Sequence, residues 1–321
     1  MDPAERIELG RTGCSISRFG LGTASLPFDG TAQDRRQATA TIHRALELGI
    51  NLIDTAALYV DGQGEAGVGE GIAGVPRKEF VLSTKAGYVM SSWPKRKAVG
   101  EEPDQDFSYA FIRGSVEASL DHLQVDRIDL LFLHDPPTED LAIVREGAYE
   151  ALVELRHRGR IGAIGAGMTC LKAACAMVKH FQLDVLMLAC HYTLMMQHAL
   201  EVLLPDCLSK SVPVLAAGPF SGGLLADPYA AAPDFNYRSA TAPYIEKARR
   251  MDSIAAEFGT TLKSAALQFP LAHPAIVAIL SGPASVAELE ENLESLQHPV
   301  PPEFWAKLKL EGLIGPKTPT P

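Results

Sequence analysis

The chain has 321 residues, of which 47% are hydrophobic and 21% charged, with a formal net charge of −10. That length buries a large core, and no composition shift or long linker divides it, so one domain over 1–321 is expected. The acidic balance argues against nucleic acid, since phosphate binding needs clustered Lys and Arg. No apolar run approaches the roughly 20 residues that span a bilayer, and Met1–Arg6 lacks the apolar segment of a signal peptide. The expectation is a cytoplasmic protein with no membrane partner. Cys14, Cys170, Cys175, Cys190 and Cys207 show no metal-like pairing, and no His-x-x-x-His or similar ligand pair occurs, so no metal is expected.

In chain order, Arg6–Leu9 and Ser15–Ser17 flank Gly10-Arg11-Thr12-Gly13 and predict a β-hairpin. Eight β-rich runs follow: Phe19–Thr23, Gly49–Ile53, Phe80–Thr84, Ile128–Leu133, Ile161–Ala166, Val185–Leu188, Val212–Ala216 and Ile276–Leu280. Near-continuous apolar runs suit parallel strands buried on both faces. Helical spacing separates them. Ala38, Ile42 and Ala45 recur at i, i+4, i+7 before Gly49, and Ile112, Val116, Leu120 and Leu123 repeat the pattern. Further helices are expected at Leu141–Arg156, Leu171–Lys179, Ala199–Ser209, Tyr244–Phe258 and Val286–Leu296. Eight alternations predict a (β/α)8 TIM barrel with the hairpin plugging its N-terminal end. The alternative, a doubly wound sheet, would carry a Gly-x-Gly-x-x-Gly turn, and Gly20-Leu21-Gly22-Thr23-Ala24-Ser25 breaks it at the last glycine.

Tyr88–Gln105, Ala226–Ala242 and the tail from Pro301 read as long loops. The first two follow strands and would lie over the C-terminal face, where barrel enzymes carry their sites. Tyr88, Trp93, Phe235 and Tyr237 are then candidate cavity walls, or aromatic anchors that hold the loops down.

Asp54, Tyr59, Lys85 and His134 all fall at or just after strand ends. Singly, each has an ordinary reading: a helix cap, a loop tyrosine, a solvated lysine, a turn histidine. Jointly they make an acid–base unit. A free tyrosine titrates near ~10 and is a poor base at neutral pH. An adjacent ammonium favours the phenolate, a carboxylate holds the ammonium, and a histidine orients the reacting oxygen. Such a set predicts a nicotinamide-dependent oxidoreductase, with the tyrosine moving the hydroxyl proton as hydride moves from or to the same carbon.

At these residues the chain resembles the aldo-keto reductases. The matching strings are LIDTAALY (Leu52–Tyr59), STK (Ser83–Lys85) and LFLHDP (Leu131–Pro136), and the likeness runs from FGLGTA (Phe19–Ala24) to EEN (Glu290–Asn292). The resemblance implies a catalytic tetrad of Asp54, Tyr59, Lys85 and His134. It also implies an extended NAD(P) bound by Gly22, Thr23, Asp54, Thr169, Gly218, Pro219, Ser221, Gly223, Gly282, Glu288, Glu291 and Asn292. Tyr59, Trp93 and His134 are the implied substrate contacts. The stretches at Gly162–Thr169, His191–Met195, Phe220–Ala226 and Ser264–Ile276 resemble the aldose 1-dehydrogenase branch, which includes D-threo-aldose (L-fucose, D-arabinose) dehydrogenases and a pyridoxal dehydrogenase. Where many members carry a Ser-Asn pair, a glutamine and a stacking tyrosine, this chain has Gly167-Met168, Ala189 and Ala217.

The segment implied to meet the adenosine phosphate, Ser281–Asn292, contains no basic residue, and Glu288 stands near a position often filled by Arg. A carboxylate there repels a 2′-phosphate, so NAD is expected over NADP. The acidic segment also reads as an ordinary solvated helix face with Glu in its first turns, favourable to the helix dipole. The expected reaction is oxidation of an aldose anomeric hydroxyl, or a similar hemiacetal such as pyridoxal, to a lactone. The alternatives are NADPH-dependent reduction of small aldehydes or ketones, and a nicotinamide-sensing regulatory subunit.

Overall fold

In the computed structural model, which describes residues 1–90, 104–138 and 141–321, the antiparallel hairpin β1 (Arg6–Glu8) and β2 (Ser15–Ser17) precedes the barrel. Next come β3 (Phe19–Gly22), α1 (Ala32–Glu47), β4 (Leu52–Asp54), α2 (Gly64–Ile72), β5 (Val81–Ala86), α3 (Tyr109–Leu123) and β6 (Ile128–His134). After these stand α4 (Leu141–Ile143), a π-helical turn Val144–Tyr149, α5 (Glu150–His157), β7 (Ile161–Met168), α6 (Leu171–His180) and β8 (Val185–Ala189). The chain continues through α7 (Ala199–Val202), α8 (Leu204–Ser209), β9 (Val214–Ala217), the short hairpin β10 (Asp234–Phe235) and β11 (Arg238–Ser239), and α9 (Ala242–Glu257). It closes with α10 (Leu262–Gln268), β12 (Ile276–Ser281), α11 (Val286–Gln297) and α12 (Pro302–Leu310). The strands form a closed parallel barrel in the order β12-β3-β4-β5-β6-β7-β8-β9. Closure excludes the open-sheet alternative.

The period-2 alternation of a strand sorts its side chains between two cores. Leu52, Val81, Leu130, Phe132, Val185, Met187, Leu215 and Leu280 fill the barrel, and Leu9 and Ile16 of the hairpin close its lower end. Ile53, Leu82, Leu131, Ile164, Leu186, Val214 and Ile279 point outward to the helices. Continuing the inward row gives Asp54 after Leu52, Lys85 after Val81 and Ser83, and His134 after Leu130 and Phe132. The barrel is therefore apolar below and polar at the C-terminal mouth.

Helix α1 starts in a reciprocal capping box between Thr31 and Asp34 and stops before Gly49, at φ 82°. Helix α2 has no counterpart among the sequence-based expectations, because glycine opposes helix formation by roughly 0.5–1 kcal/mol relative to alanine. Its glycines admit neighbours instead. A Cβ at Gly67 would lie 2.2 Å from Phe28, at Gly69 2.5 Å from the His122 carbonyl, and at Gly71 2.4 Å from Ile42.

Other expectations are corrected. The stretch Ala199–Ser209 is two helices, with Pro205 in the first turn of α8. The barrel strand expected from Val212 starts at Val214, beyond Pro213, which has no N–H to donate. The tail from Pro301 is not a loop, because Pro302 opens α12, which buries Phe304, Trp305 and Leu308. The segment Ala226–Ala242 carries β10–β11, whose tip residues Asn236 and Tyr237 have φ 49° and 65°, as a tight hairpin turn requires. Tyr88 and Gln105 pair at the base of the first long loop. Trp93 lies outside the described residues. Among the described residues no helix is long and apolar enough to cross a membrane, and no group of three or more His, Cys, Asp or Glu is placed to hold a metal ion.

Candidate active site

Three of the four acid–base candidates stand at the C-terminal ends of three adjacent strands, β4, β5 and β6. Asp54 is opposite Ser83, Lys85 opposite Phe132, and His134 opposite Gly167. The Lys85 Nζ donates to Asp54 Oδ2 at 2.7 Å and to the Thr55 carbonyl at 2.8 Å. Ser83 Oγ donates to Asp54 Oδ1 at 2.7 Å, so both carboxylate oxygens are held. Tyr59 arrives from the turn after β4, with Val60 and Asp61 in left-handed conformations (φ 52° and 49°). The start of α2 backs it, since a Cβ at Gly64 would lie 2.9 Å from Tyr59 Cβ. Lys85 Nζ stands 4.5 Å from the Tyr59 ring centre. The rings of Tyr59 and Tyr88 approach that of His134 edge-on, at 6.4 and 4.9 Å between centroids.

The electrostatics differ in one respect from the sequence expectation. Burial pushes the Tyr59 phenol up, Lys85 pulls it down, and Asp54 pushes up again, and the balance lies above the ordinary value. Lys85 thus moderates the cost of burial without reversing it. Burial alone would lower the Lys85 ammonium, but Asp54 and Tyr59 outweigh it and hold the pKa above normal. Burial, then the Lys85 charge, drive His134 well below its usual value, so its imidazole is neutral at physiological pH. The group combines a fixed cation, a protonated phenol beside it and a neutral ring able to donate an N–H.

These side chains open into a cavity of about 1720 Å³ at the C-terminal end of the barrel. Gly22, Thr169, Gly218, Pro219, Gly223, Gly282, Glu288, Glu291 and Asn292 line it, and so do Tyr88, Phe235 and Tyr237. Thr23 and Ser221, expected at the cofactor, do not line it. The Thr23 N–H and hydroxyl both donate to the Asp54 carbonyl at 3.0 Å, fixing the end of β4. Ser221 is buried against Thr193, and its carbonyl accepts from Asn236 N–H, which anchors the β10–β11 hairpin. Ala189 and Ala217 line the cavity with small side chains. A Cβ at Gly22 would lie 3.3 Å from the Ser281 carbonyl, so β3 and β12 present bare backbone there. Volume, glycine edges and hydrogen-bonding ends suit an extended dinucleotide beside a small substrate.

Sequence reasoning missed Asp135 and Lys263. Asp135, at φ 48° directly after His134, accepts from the Thr169 N–H at 2.6 Å and its hydroxyl at 2.9 Å. The Asp-Pro pair that follows the histidine was its only signal. Lys263 reaches the cavity from α10, a helix too short to show a period. A second cavity of about 580 Å³, near Arg11, Lys179 and Lys210, contains none of the four acid–base groups. There Lys210 Nζ donates to the Val178 and Lys179 carbonyls, and Arg145 to that of His180, so these cations cap the end of α6.

A parallel eight-stranded barrel with this buried acid–base group at its mouth defines an oxidoreductase of the nicotinamide-dependent barrel class. The chain belongs to the aldo/keto reductase family, whose profile matches residues 18–310. It is 33% identical to a D-threo-aldose 1-dehydrogenase of Pseudomonas sp, over 96% of this chain and 97% of that protein. It is 30% identical to a pyridoxal 4-dehydrogenase of Microbacterium luteolum, over 97% and 98% of the two chains. Among solved structures, an aldo-keto reductase of Bacillus halodurans in its holo form superposes with a TM-score of 0.77 at 26% identity, covering 96% of each chain.

Proposed function

We propose that the chain is an NAD-preferring dehydrogenase that oxidises the anomeric hydroxyl of a cyclic aldose, or an equivalent hemiacetal, to a lactone, with 1–321 acting as one barrel domain. The carrying observation is the buried Asp54–Lys85 pair in contact with Tyr59, beside a neutral His134, at the mouth of one cavity. The similarity to an aldose and a pyridoxal dehydrogenase supports the substrate class.

His134 donates its N–H to the reacting oxygen and fixes the carbon against the Tyr59 phenol. In oxidation Tyr59 Oη takes the hydroxyl proton as the oxygen–carbon double bond forms, and the hydride leaves that same carbon. The nicotinamide, when bound, is the two-electron acceptor of that hydride. Because Tyr59 is protonated at neutral pH, it must first lose a proton to act as base, and Lys85 stabilises the resulting phenolate. In reduction the phenol donates directly. Tyr59 and Lys85 titrate as a coupled pair. The backbone along Gly22, Gly218, Gly223 and Gly282 would cradle the dinucleotide, Thr169 its carboxamide, and Glu291 and Asn292 its adenine. The carboxylates Glu288 and Glu291 support NAD over NADP.

The test supplies NAD or NADP with L-fucose, D-arabinose and pyridoxal and follows the near-ultraviolet absorbance of reduced nicotinamide. A rise with an aldose, faster with NAD, is the expected result. A rise with pyridoxal alone moves the substrate to the second hemiacetal reading. No rise with any, together with NADPH-dependent reduction of a small aldehyde, replaces the proposal by carbonyl reduction.

A further inference from the structure

The wall built by β12, α10 and α11 carries three charged side chains, and their partners differ. Glu288 is turned back on its own helix start. Its Oε2 accepts from the Ala284 N–H at 2.8 Å, and its N–H donates to Ser285 Oγ. It contributes charge to the cavity while its oxygen is engaged as a cap. Lys263 sits in the first turn of α10, which packs on α11, and its Nζ pairs with Glu291 Oε1 at 2.8 Å. The lysine side chain is 15% exposed and the glutamate 62%. The cation is thus seated in the wall, 5.8 Å from the Phe220 ring centre, while the carboxylate is on the solvent side. Both line the cavity beside Ser281, Gly282 and Asn292.

We propose that the Lys263–Glu291 pair sets nucleotide selectivity. This rests on the NAD preference proposed above and deepens it. With Glu291 in place Lys263 is neutralised, and Glu288 leaves this wall with an excess negative charge that disfavours a 2′-phosphate. A phosphate brings nearly two negative charges at neutral pH and takes charge-assisted hydrogen bonds from an ammonium. Removing the Glu291 charge frees an ammonium already held at this end of the cavity. An ion pair with one exposed partner is weak, so Lys263 is readily transferred from carboxylate to phosphate. The determinant of selectivity is therefore the partnering of a lysine from a neighbouring helix, and Glu288 acts only through its net charge.

Isothermal titration of the purified chain with NAD and with NADP, and with 5′-AMP and 2′,5′-ADP as adenosine-end probes, tests this independently of turnover. Glu291→Gln should raise affinity for NADP relative to NAD, and for 2′,5′-ADP relative to 5′-AMP, by about threefold or more, and added salt should erode the gain. Lys263→Met in that background should abolish the gain. Lys263→Met alone should weaken NADP further with little change in NAD, which keeps the test intact if Glu291→Gln does not fold. A smaller change in Glu291→Gln, a gain that survives in the double variant, or unaltered NADP binding in Lys263→Met overturns the proposal. Wild-type preference for NADP would defeat the NAD reading alone, because the direction of each substitution still reports on the pair.

Discussion

Asp54→Asn is the most informative single perturbation of the buried pair. Asp54 and Lys85 are 4% and 3% exposed and 2.7 Å apart. The substitution keeps the shape and removes the charge, leaving the ammonium with the Thr55 carbonyl and the Tyr59 phenol. Breaking one partner out of a buried pair costs about 3–5 kcal/mol, a large share of a total stability of about 5–15 kcal/mol. Burial, the largest influence on Lys85, is then opposed only by Tyr59, and the folded pKa is expected to fall below the unfolded value near ~10.4. The folded variant binds fewer protons than the unfolded chain, so its penalty is full at low pH and shrinks as pH rises toward that value. Adding Lys85→Met removes the stranded charge and should recover most of the loss. Urea unfolding followed by tryptophan fluorescence, with Trp305 fully buried as reporter, measures all three variants. A cost of Asp54→Asn below about 1 kcal/mol, or a double variant no more stable than the single, would refute the claim that Asp54 sustains the Lys85 charge.

Tyr59→Phe should lower turnover by about 10²–10⁴-fold while titrated cofactor affinity stays near wild type; loss of both together would place Tyr59 in folding instead of proton transfer. With the Tyr59 pKa raised and that of His134 depressed, kcat/KM for oxidation should climb with pH through the alkaline range. Reduction should hold level through neutrality and decline only at alkaline pH. An inflection near ~6.5 in either profile would mean that His134 titrates. Outside the site, exposed His122 pairs with buried Glu65, which raises its pKa. A raised folded pKa gives stability that is fully present below the unfolded value near ~6.5 and fades as pH rises through the folded one. The wild-type urea midpoint should therefore fall more steeply above that pH than that of His122→Gln, and identical slopes would sink the idea. Gly222, at φ 83°, has the Asn236 backbone nitrogen 2.9 Å from where a Cβ would sit. Gly222→Ala should displace the β10–β11 hairpin and weaken cofactor binding, and unchanged affinity would free that hairpin of any role there.

The barrel was legible because parallel strands buried on both faces read as apolar runs, and each strand continues an alternation that decides which polar residue enters the mouth. Asp54, Lys85 and His134 follow from that parity alone, and Tyr59 from its place beyond β4. What stayed hidden depended on contacts between segments distant in sequence. Helix α2 carries four glycines in nine residues, and the value of three of them is the close approach of Phe28, Ile42 and the end of α3. The helical tail after Pro301 is short, and its stability comes from burying Trp305 against Phe269 and Phe304. Thr23 and Ser221 matched a binding pattern, but the fold uses them to hold β4 and the hairpin. Glu288 likewise pointed to charge repulsion, while Lys263, twenty-five residues earlier, supplies the cation its own segment lacks.

In the proposed reaction hydride leaves the anomeric carbon for the nicotinamide while Tyr59 accepts the hydroxyl proton. Its most direct test is turnover of an aldose deuterated at that carbon, with NAD, by wild type and by Tyr59→Phe. Deuterium in the reduced nicotinamide ring, slower turnover than with the unlabelled sugar, a lactone as product and almost no transfer by the variant are the expected results. Reduced cofactor free of deuterium, or a Tyr59→Phe chain that transfers it at the wild-type rate, would contradict the account.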